Sequence, residues 1–118
     1  MMLQFICYPK CTTCQRAQKW LDGKGIEYDF RDIKLEKPTL GELTEWYERS
    51  GLPLKRFFNT SGLLYKSLDL KSRLPEMTEE EMLKLLSTDG MLVKRPIFVG
   101  DDFVLVGFQE AEWEKRVR

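Results

Sequence analysis

The sequence predicts an α/β protein with a mixed sheet, assembled from a β-α-β opening, a helical insertion and a β-β-α ending. The chain opens with a β-forming run followed by a helix-patterned stretch, and its middle holds two helix capping boxes. It closes with two short apolar runs separated by a turn. At 118 residues the chain is expected to form one domain, 1–118, with a mainly helical insertion at about 34–94.

The spacing of apolar residues predicts the first strand, the first helix and the second strand. Residues 3–8 are rich in β-formers and predict the first strand, whereas residues 15–21 have apolar side chains at helical spacing until Gly23. Residues 26–33 alternate apolar and polar side chains, which is typical of a half-buried strand. A right-handed crossover makes these two strands parallel.

The insertion is marked by two capping boxes, Thr39 with Glu42 and Thr78 with Glu81, each of which predicts the start of a helix. The first of these helices is expected to end at Gly51. Four aromatic residues are predicted to form the core of the insertion: Trp46, Tyr47, Phe57 and Phe58.

The ending is predicted to be a hairpin and a helix. Residues 97–99 and 103–106 are apolar and flank the turn residues 100–102, and residues 110–116 follow as a terminal helix. Because a hairpin is antiparallel, the complete sheet is mixed.

Composition excludes several classes of function. The 19 basic and 19 acidic residues cancel, which argues against a direct nucleic-acid partner. The chain has no histidine, so a Ser-His-Asp triad, a Cys-His pair and a histidine general base are excluded. No apolar stretch reaches the length of a membrane span and the first residues lack a basic leader, so a cytoplasmic protein is expected.

The feature that points to chemistry is a C-x-x-C, Cys11 and Cys14, between the first strand and the first helix. The unpaired N–H groups and positive dipole end of a helix stabilise a thiolate at that position. The alternatives are a pair of idle cysteines or half of a metal site, and the absence of histidine and of a second C-x-x-C argues against the metal. A redox-active pair in a reducing compartment is the favoured interpretation.

Position assigns the roles within this pair. Cys11 precedes the helix and is predicted to be the exposed nucleophile, whereas Cys14 in the first turn is predicted to be the resolving thiol. A reversible disulfide between them is the expected product. Cys7 lies inside the first strand and is interpreted as a small core residue without a function.

Arg95 and Pro96 directly precede the third predicted strand. A strand, C-x-x-C and helix opening on this element order is the thioredoxin-like arrangement, which places a proline there. We therefore predict a cis peptide between Arg95 and Pro96, and an anion or thiolate as the partner of Arg95.

Residues 8–14, the helical insertion and residues 94–97 together closely resemble the arsenate reductase (ArsC) family of thioredoxin-like proteins, including its Spx branch, over essentially the whole chain. The resemblance implies that Cys11 is the nucleophile and that Arg95 helps to hold an oxyanion. It also implies that no cofactor is bound and that glutathione or thioredoxin is the external reductant. The other predicted substrate-binding residues are Lys10, Thr12, Thr13, Asn59 and Pro96.

The chain departs from the arsenate-reducing pattern in its anion-binding residues. Asn59 lies where the enzymes place a second arginine, and residues 106–108 contain no arginine where a third is expected. With Arg95 as its main cationic partner, arsenate is expected to bind weakly. Cys14 is a gain compared with the same pattern, since it adds a resolving thiol within the chain.

Two functions therefore follow from the sequence. The first is an arsenate reductase-like thiol-disulfide oxidoreductase acting on a small thiol, an oxyanion or a protein disulfide. The alternative is an Spx-like redox-sensing transcriptional regulator that binds RNA polymerase. For both we expect a monomer without a membrane or direct nucleic-acid partner.

Overall fold

The computed structural model describes residues 3–117, which form two compact units: the residues before 33 with those after 94, and residues 33–94. In chain order the elements are β1 Gln4–Cys7, α1 Thr12–Gly23, β2 Asp29–Asp32, α2 Leu40–Ser50, α3 Leu63–Ser67, α4 Leu70–Arg73, α5 Glu79–Leu86, β3 Ile97–Val99, β4 Val104–Val106 and α6 Glu110–Arg116. Within residues 3–117, the helices lack the length and apolar character that crossing a membrane requires. The number of domains stays a prediction.

The first unit contains the sheet, whose strand order is β2-β1-β3-β4. β1 pairs parallel with β2, with Phe5 opposite Phe30, and antiparallel with β3, with Phe5 opposite Phe98. β3 and β4 form the predicted antiparallel hairpin. The predicted thioredoxin-like mixed sheet is confirmed.

One face of this sheet is covered by α1 and α6. Because strand side chains alternate between faces, Phe5 and Cys7 of β1 point the same way, and both belong to the buried cluster of this face. The helices contribute Cys14 from α1 and Trp113 from α6 to the same cluster. The packing of α1 on this face therefore sets the position of the C-x-x-C above the end of β1.

Trp113 fixes α6 against the hairpin. Its ring stacks on Phe98 with centroids 5.1 Å apart and planes 10° apart, and its indole N–H donates to the carbonyl of Gly107 at 3.1 Å. Such an aromatic pair adds about 0.5 to 1.5 kcal/mol beyond burial of its area, and the indole N–H is not left unsatisfied.

In the second unit, both capping boxes are confirmed. The hydroxyl of Thr39 accepts from the N–H of Glu42 at 3.1 Å, and the Glu42 carboxylate accepts from the N–H of Thr39 at 3.0 Å. The same reciprocal pair joins Thr78 and Glu81 at the start of α5. Gly51 ends α2 in the left-handed conformation, at φ 69°.

The core of the second unit contains the predicted aromatics. Trp46, Phe57 and Phe58 are buried, and Tyr47 packs edge-on against Phe57 with centroids 6.2 Å apart. The chain between these helices includes short 3₁₀ turns at Leu54–Phe57, Leu74–Glu76 and Gly90–Leu92.

Candidate active site

Cys11 is the N-cap residue of α1 and lies at the end of a tight turn. Its N–H donates to the carbonyl of Tyr8 at 2.9 Å, and its own carbonyl accepts the first helical bond, from the N–H of Gln15 at 3.0 Å. The residue is partly buried and packs against the buried cluster of this sheet face, whereas the sequence predicted an exposed side chain. Its predicted position at the start of α1 is confirmed, and its role as the nucleophile stays a prediction.

Cys14 lies one turn into α1, with only 1% of its surface exposed. Its sulfur accepts a hydrogen bond from the backbone N–H of Tyr8, with the nitrogen and Sγ 3.4 Å apart. All three cysteines are free thiols in this structure, so the disulfide between Cys11 and Cys14 stays a prediction.

The surroundings of Cys14 oppose its ionisation. Contact with the Cys7 thiol, followed by burial, raises the pKa of Cys14 far above the usual range of a thiol. The N–H of Tyr8 and the Cys11 side chain act in the opposite direction, but they are the weaker influences. Cys14 is therefore a neutral thiol at neutral pH.

The loop that carries the motif is held from both sides. The Gln15 side chain donates to the carbonyl of Pro9 at 2.9 Å, across the turn that ends at Cys11. Thr12 begins α1, where the first backbone N–H groups have no acceptor within the helix and can hold an anion. Lys10 and Thr12 are exposed, and Thr13 is half-buried beside them.

The cis peptide between Arg95 and Pro96 is confirmed. The guanidinium carbon of Arg95 lies 5.3 Å from the centroid of the Tyr8 ring, which is cation–π distance. Pro96 is buried, and its carbonyl accepts from the N–H of Gly107 at 2.8 Å. Arg95 thus lies against Tyr8, whose carbonyl accepts from the N–H of Cys11, and the predicted anion or thiolate partner of Arg95 stays a prediction.

Asn59 belongs to the second unit, where it shapes a turn. Its carbonyl accepts from the N–H of Gly62 at 3.1 Å, its side-chain oxygen accepts from Ser61 at 3.3 Å, and its N–H donates to Leu92 at 2.8 Å. These bonds give the residue a structural role, and its predicted part in substrate binding stays a prediction.

Sequence reasoning missed the part played by Tyr8 and the placement of Cys7. Tyr8 supplies both the N–H that contacts the Cys14 sulfur and the ring beneath Arg95. A period of two along β1 would have placed Cys7 on the face of Phe5, which α1 covers. The contact with Cys14 itself depends on helix packing, which the sequence pattern does not specify.

Comparison with known proteins places this geometry in context. The model of the ArsC family matches residues 7–116. A crystal structure of an ArsC family related protein from Bacteroides fragilis is 56% identical, with a TM-score of 0.95, and the match covers 98% of this chain and 97% of that one. The uncharacterized protein YusI of Bacillus subtilis is 49% identical over 98% of both chains.

Regulators are also among the relatives. The regulatory protein MgsR of Bacillus subtilis is 32% identical over 93% of this chain and 86% of its own. The global transcriptional regulator Spx of Enterococcus faecalis is 27% identical over 94% of this chain and 83% of its own. The chain is therefore similar both to proteins described by the ArsC family and to proteins described as regulators.

Proposed function

The chain belongs to the ArsC family, and we propose that within this family it is a thiol-disulfide oxidoreductase of the reducing cytoplasm, with Cys11 as nucleophile and Cys14 as resolving thiol. The observation that carries this proposal is the pairing of a partly buried cysteine at a helix N-terminus with a buried neutral thiol one turn away. The two cysteines have unequal environments, as two successive steps require.

In the first step the Cys11 thiolate attacks one sulfur of a substrate disulfide. A bond forms between Cys11 and that sulfur, and the other half of the substrate leaves as a thiolate. Cys11 is the N-cap residue of α1, so the attack takes place at the positive end of the helix dipole.

In the second step the Cys14 sulfur attacks Cys11 in the mixed disulfide. The bond between Cys11 and the substrate breaks, and the leaving thiolate takes up the proton that Cys14 loses. The product is a Cys11–Cys14 disulfide, which an external thiol, from glutathione or thioredoxin, reduces to restore both thiols.

Arg95 is proposed to bind the anionic part of the substrate. Its planar guanidinium suits a carboxylate or an oxyanion, and its position over Tyr8 brings it to the cysteine loop. Lys10 and the N–H groups of Thr12 and Thr13 supply the remaining positive potential. The sequence has Asn59 at the position where the resemblance implies a second arginine, so we expect arsenate to be a poor substrate compared with an organic disulfide.

The test is turnover of a glutathione-linked disulfide with glutathione or thioredoxin as reductant. Cys11→Ser should abolish turnover, whereas the control Ser72→Ala, exposed in the second unit, should leave it unchanged. Equal turnover by wild type and Cys11→Ser would refute the function.

The relatives described as regulators favour a second candidate. Here the same dithiol is a switch, and the oxidised or the reduced chain binds RNA polymerase. A pull-down of purified polymerase with the reduced and the peroxide-oxidised chain tests it. Binding that differs between the two states in wild type, and that no longer differs in Cys11→Ser, supports the regulator. Equal binding in both states, or absence of binding in both, eliminates the switch.

A further inference from the structure

Cys7 and Cys14 point toward each other across the packing of α1 on the sheet. Cys7 is the last residue of β1, and it shares the sheet face of Phe5. Cys14 is on the buried side of α1, which covers that face, and the two cysteines belong to one buried cluster, each 1% exposed.

A covalent argument bounds their separation. The Tyr8 nitrogen, 3.4 Å from the Cys14 sulfur, is bonded to the carbonyl carbon of Cys7. Standard bond lengths place this nitrogen about 2.4 Å from the Cys7 α-carbon, so the Cys14 sulfur lies within about 6 Å of that α-carbon. The side chains of Cys7 and Cys14 are also in hydrogen-bond contact, so their sulfurs are neighbours, as formation of a disulfide requires.

We propose that Cys7 is a third redox thiol, which displaces Cys11 from the Cys11–Cys14 disulfide and leaves a buried Cys7–Cys14 disulfide. The inference rests on the proposed function, which supplies the starting disulfide. It deepens that function by giving the oxidised protein a second state in which Cys11 is again a thiol.

The exchange balances within the chain. The Cys7 sulfur loses its proton and forms a bond to the Cys14 sulfur, while the bond between Cys14 and Cys11 breaks. Cys11 leaves as a thiolate at the helix N-terminus and takes up the proton that Cys7 gave up. One disulfide is present before and after, so no external oxidant or reductant is consumed.

The location of the three sulfurs gives the exchange its direction. The leaving sulfur, on Cys11, is at the partly exposed N-cap of α1, where a thiolate is stabilised. The Cys7–Cys14 disulfide joins two residues that are already buried together. Its formation replaces two buried neighbouring thiols by one disulfide bond. Contact with Cys7 is also the largest influence that raises the pKa of Cys14, in keeping with neighbouring thiols.

The consequence is a change in which sulfur external thiols can reach. Cys11 becomes available for another substrate disulfide, whereas the Cys7–Cys14 disulfide lies in the core and is shielded from glutathione. A chain in this state keeps one disulfide, between Cys7 and Cys14, while Cys11 is again a free thiol.

Peptide mapping of the full chain tests the exchange. The reduced protein is treated with one equivalent of peroxide, quenched in acid at successive times, alkylated and digested with trypsin, which separates Cys7 in residues 1–10 from Cys11 and Cys14 in residues 11–16. A Cys11–Cys14 disulfide appears as peptide 11–16 lacking two hydrogens. It should decrease as peptides 1–10 and 11–16 become linked and Cys11 becomes alkylated.

Variants of the three cysteines show which two of them form the disulfide that links the peptides. In Cys11→Ser, which cannot form the starting disulfide, the linked peptides should be lost. They should also be lost in Cys14→Ser, whereas in Cys7→Ala peptide 11–16 should keep its internal disulfide. Intact mass confirms that the linked chains are monomeric. A Cys11–Cys14 disulfide that persists in wild type, with no linked peptides at any time, would overturn the inference and leave the proposed function standing. A wild type that never forms the internal disulfide would overturn both.

Discussion

At the scale of single residues, the raised pKa of Cys14 separates the two proposed steps in time. Attack by Cys11 uses a partly buried residue at a helix N-terminus, whereas attack by Cys14 requires deprotonation of a buried thiol beside Cys7. The mixed disulfide on Cys11 should therefore persist long enough to be observed at neutral pH.

We expect the second step to accelerate with pH. Reaction with the disulfide of thionitrobenzoate releases one coloured thiolate when Cys11 attacks and a second when Cys14 resolves. Because the thiolate fraction of Cys14 grows about tenfold per pH unit below its pKa, the second release should accelerate by about that factor per unit between about pH 7 and pH 9.

The control for this measurement is Cys14→Ser, which should keep the first release and lose the second. A second release whose rate does not change with pH would show that Cys14 is already ionised in the resting protein. In that case contact with Cys7 does not govern its reactivity.

Arg95 should affect charged substrates more than neutral ones. Arg95→Gln removes a guanidinium that lies over Tyr8 at the cysteine loop, and a hydrogen bond to a charged group contributes about 1.5 to 3 kcal/mol when it is well formed. We expect the dianionic thionitrobenzoate disulfide to react with Cys11 about tenfold more slowly, and the uncharged dipyridyl disulfide at nearly the wild-type rate.

The matched control for this charge effect is Arg56→Gln, an exposed arginine of the second unit. It changes the net charge by the same amount without a change at the loop. An equal slowing of both disulfides in Arg95→Gln would indicate a disturbed loop instead of a lost anion contact.

At the scale of elements, the sequence predicted correctly those helices and strands whose bounds depend on residues close together in the chain. The boxes Thr39–Glu42 and Thr78–Glu81 placed two helix starts correctly, because both partners lie within one turn. Residues 26–33 were predicted as a strand, yet β2 is only Asp29–Asp32. The N–H of Ile26 donates to Leu21 at 3.1 Å and extends the helix exit, so pairing begins only at Asp29.

Turns and contacts that depend on packing between distant residues could not be predicted from the sequence in the same way. The 3₁₀ turn at Leu54–Phe57 was not predicted, because its hydrogen bonding is set by the surrounding core. Within the site, the position of Cys11 at the start of α1 and the cis peptide after Arg95 were predicted from their places along the chain. The contact between Cys7 and Cys14 requires the packing of α1 on β1, which the sequence pattern leaves open.

Gly90 reveals a constraint between two segments of the second unit. A Cβ added there would lie 2.8 Å from the carbonyl carbon of Ile33 and closer still to its oxygen, and this neighbour is backbone. We expect Gly90→Ala to lower the free energy of unfolding by about 2 to 3 kcal/mol in urea denaturation, because the backbone must move to accept the methyl group.

The control is Gly41→Ala in α2, where the nearest atom to an added Cβ is the Thr39 hydroxyl oxygen at 3.9 Å. Alanine there should raise the free energy of unfolding by about 0.5 to 1 kcal/mol through helix propensity. If both variants change stability by the same amount, the segments around Ile33 and Gly90 can separate at little cost.

At the scale of the whole molecule, the free energy of unfolding should be greatest near neutral pH, between the pH range in which Glu81 titrates and the alkaline range in which Cys14 and the tyrosines titrate. Hydrogen bonding to the N–H of Thr78 lowers the pKa of Glu81, and that contribution is lost as pH falls through the lowered value. Burial raises the pKa of Tyr28, and the hydrogen bond to Glu79 raises that of Tyr47, so both tyrosines weaken the fold only above about pH 10.

Cys14 should dominate the first part of the alkaline decline. Above about pH 8.5 the unfolded chain loses the Cys14 proton while the folded chain retains it, so the folded state binds one more proton and stability falls as pH rises. The expected slope is up to about 1.4 kcal/mol per pH unit, measured by urea denaturation with a reductant at pH values from about 7.5 to 9.5. Cys14→Ala should remove most of this slope whatever its effect on stability at neutral pH. An identical slope in the variant would mean that the folded protein ionises Cys14 as readily as the unfolded chain, and the contact with Cys7 would then have no energetic consequence.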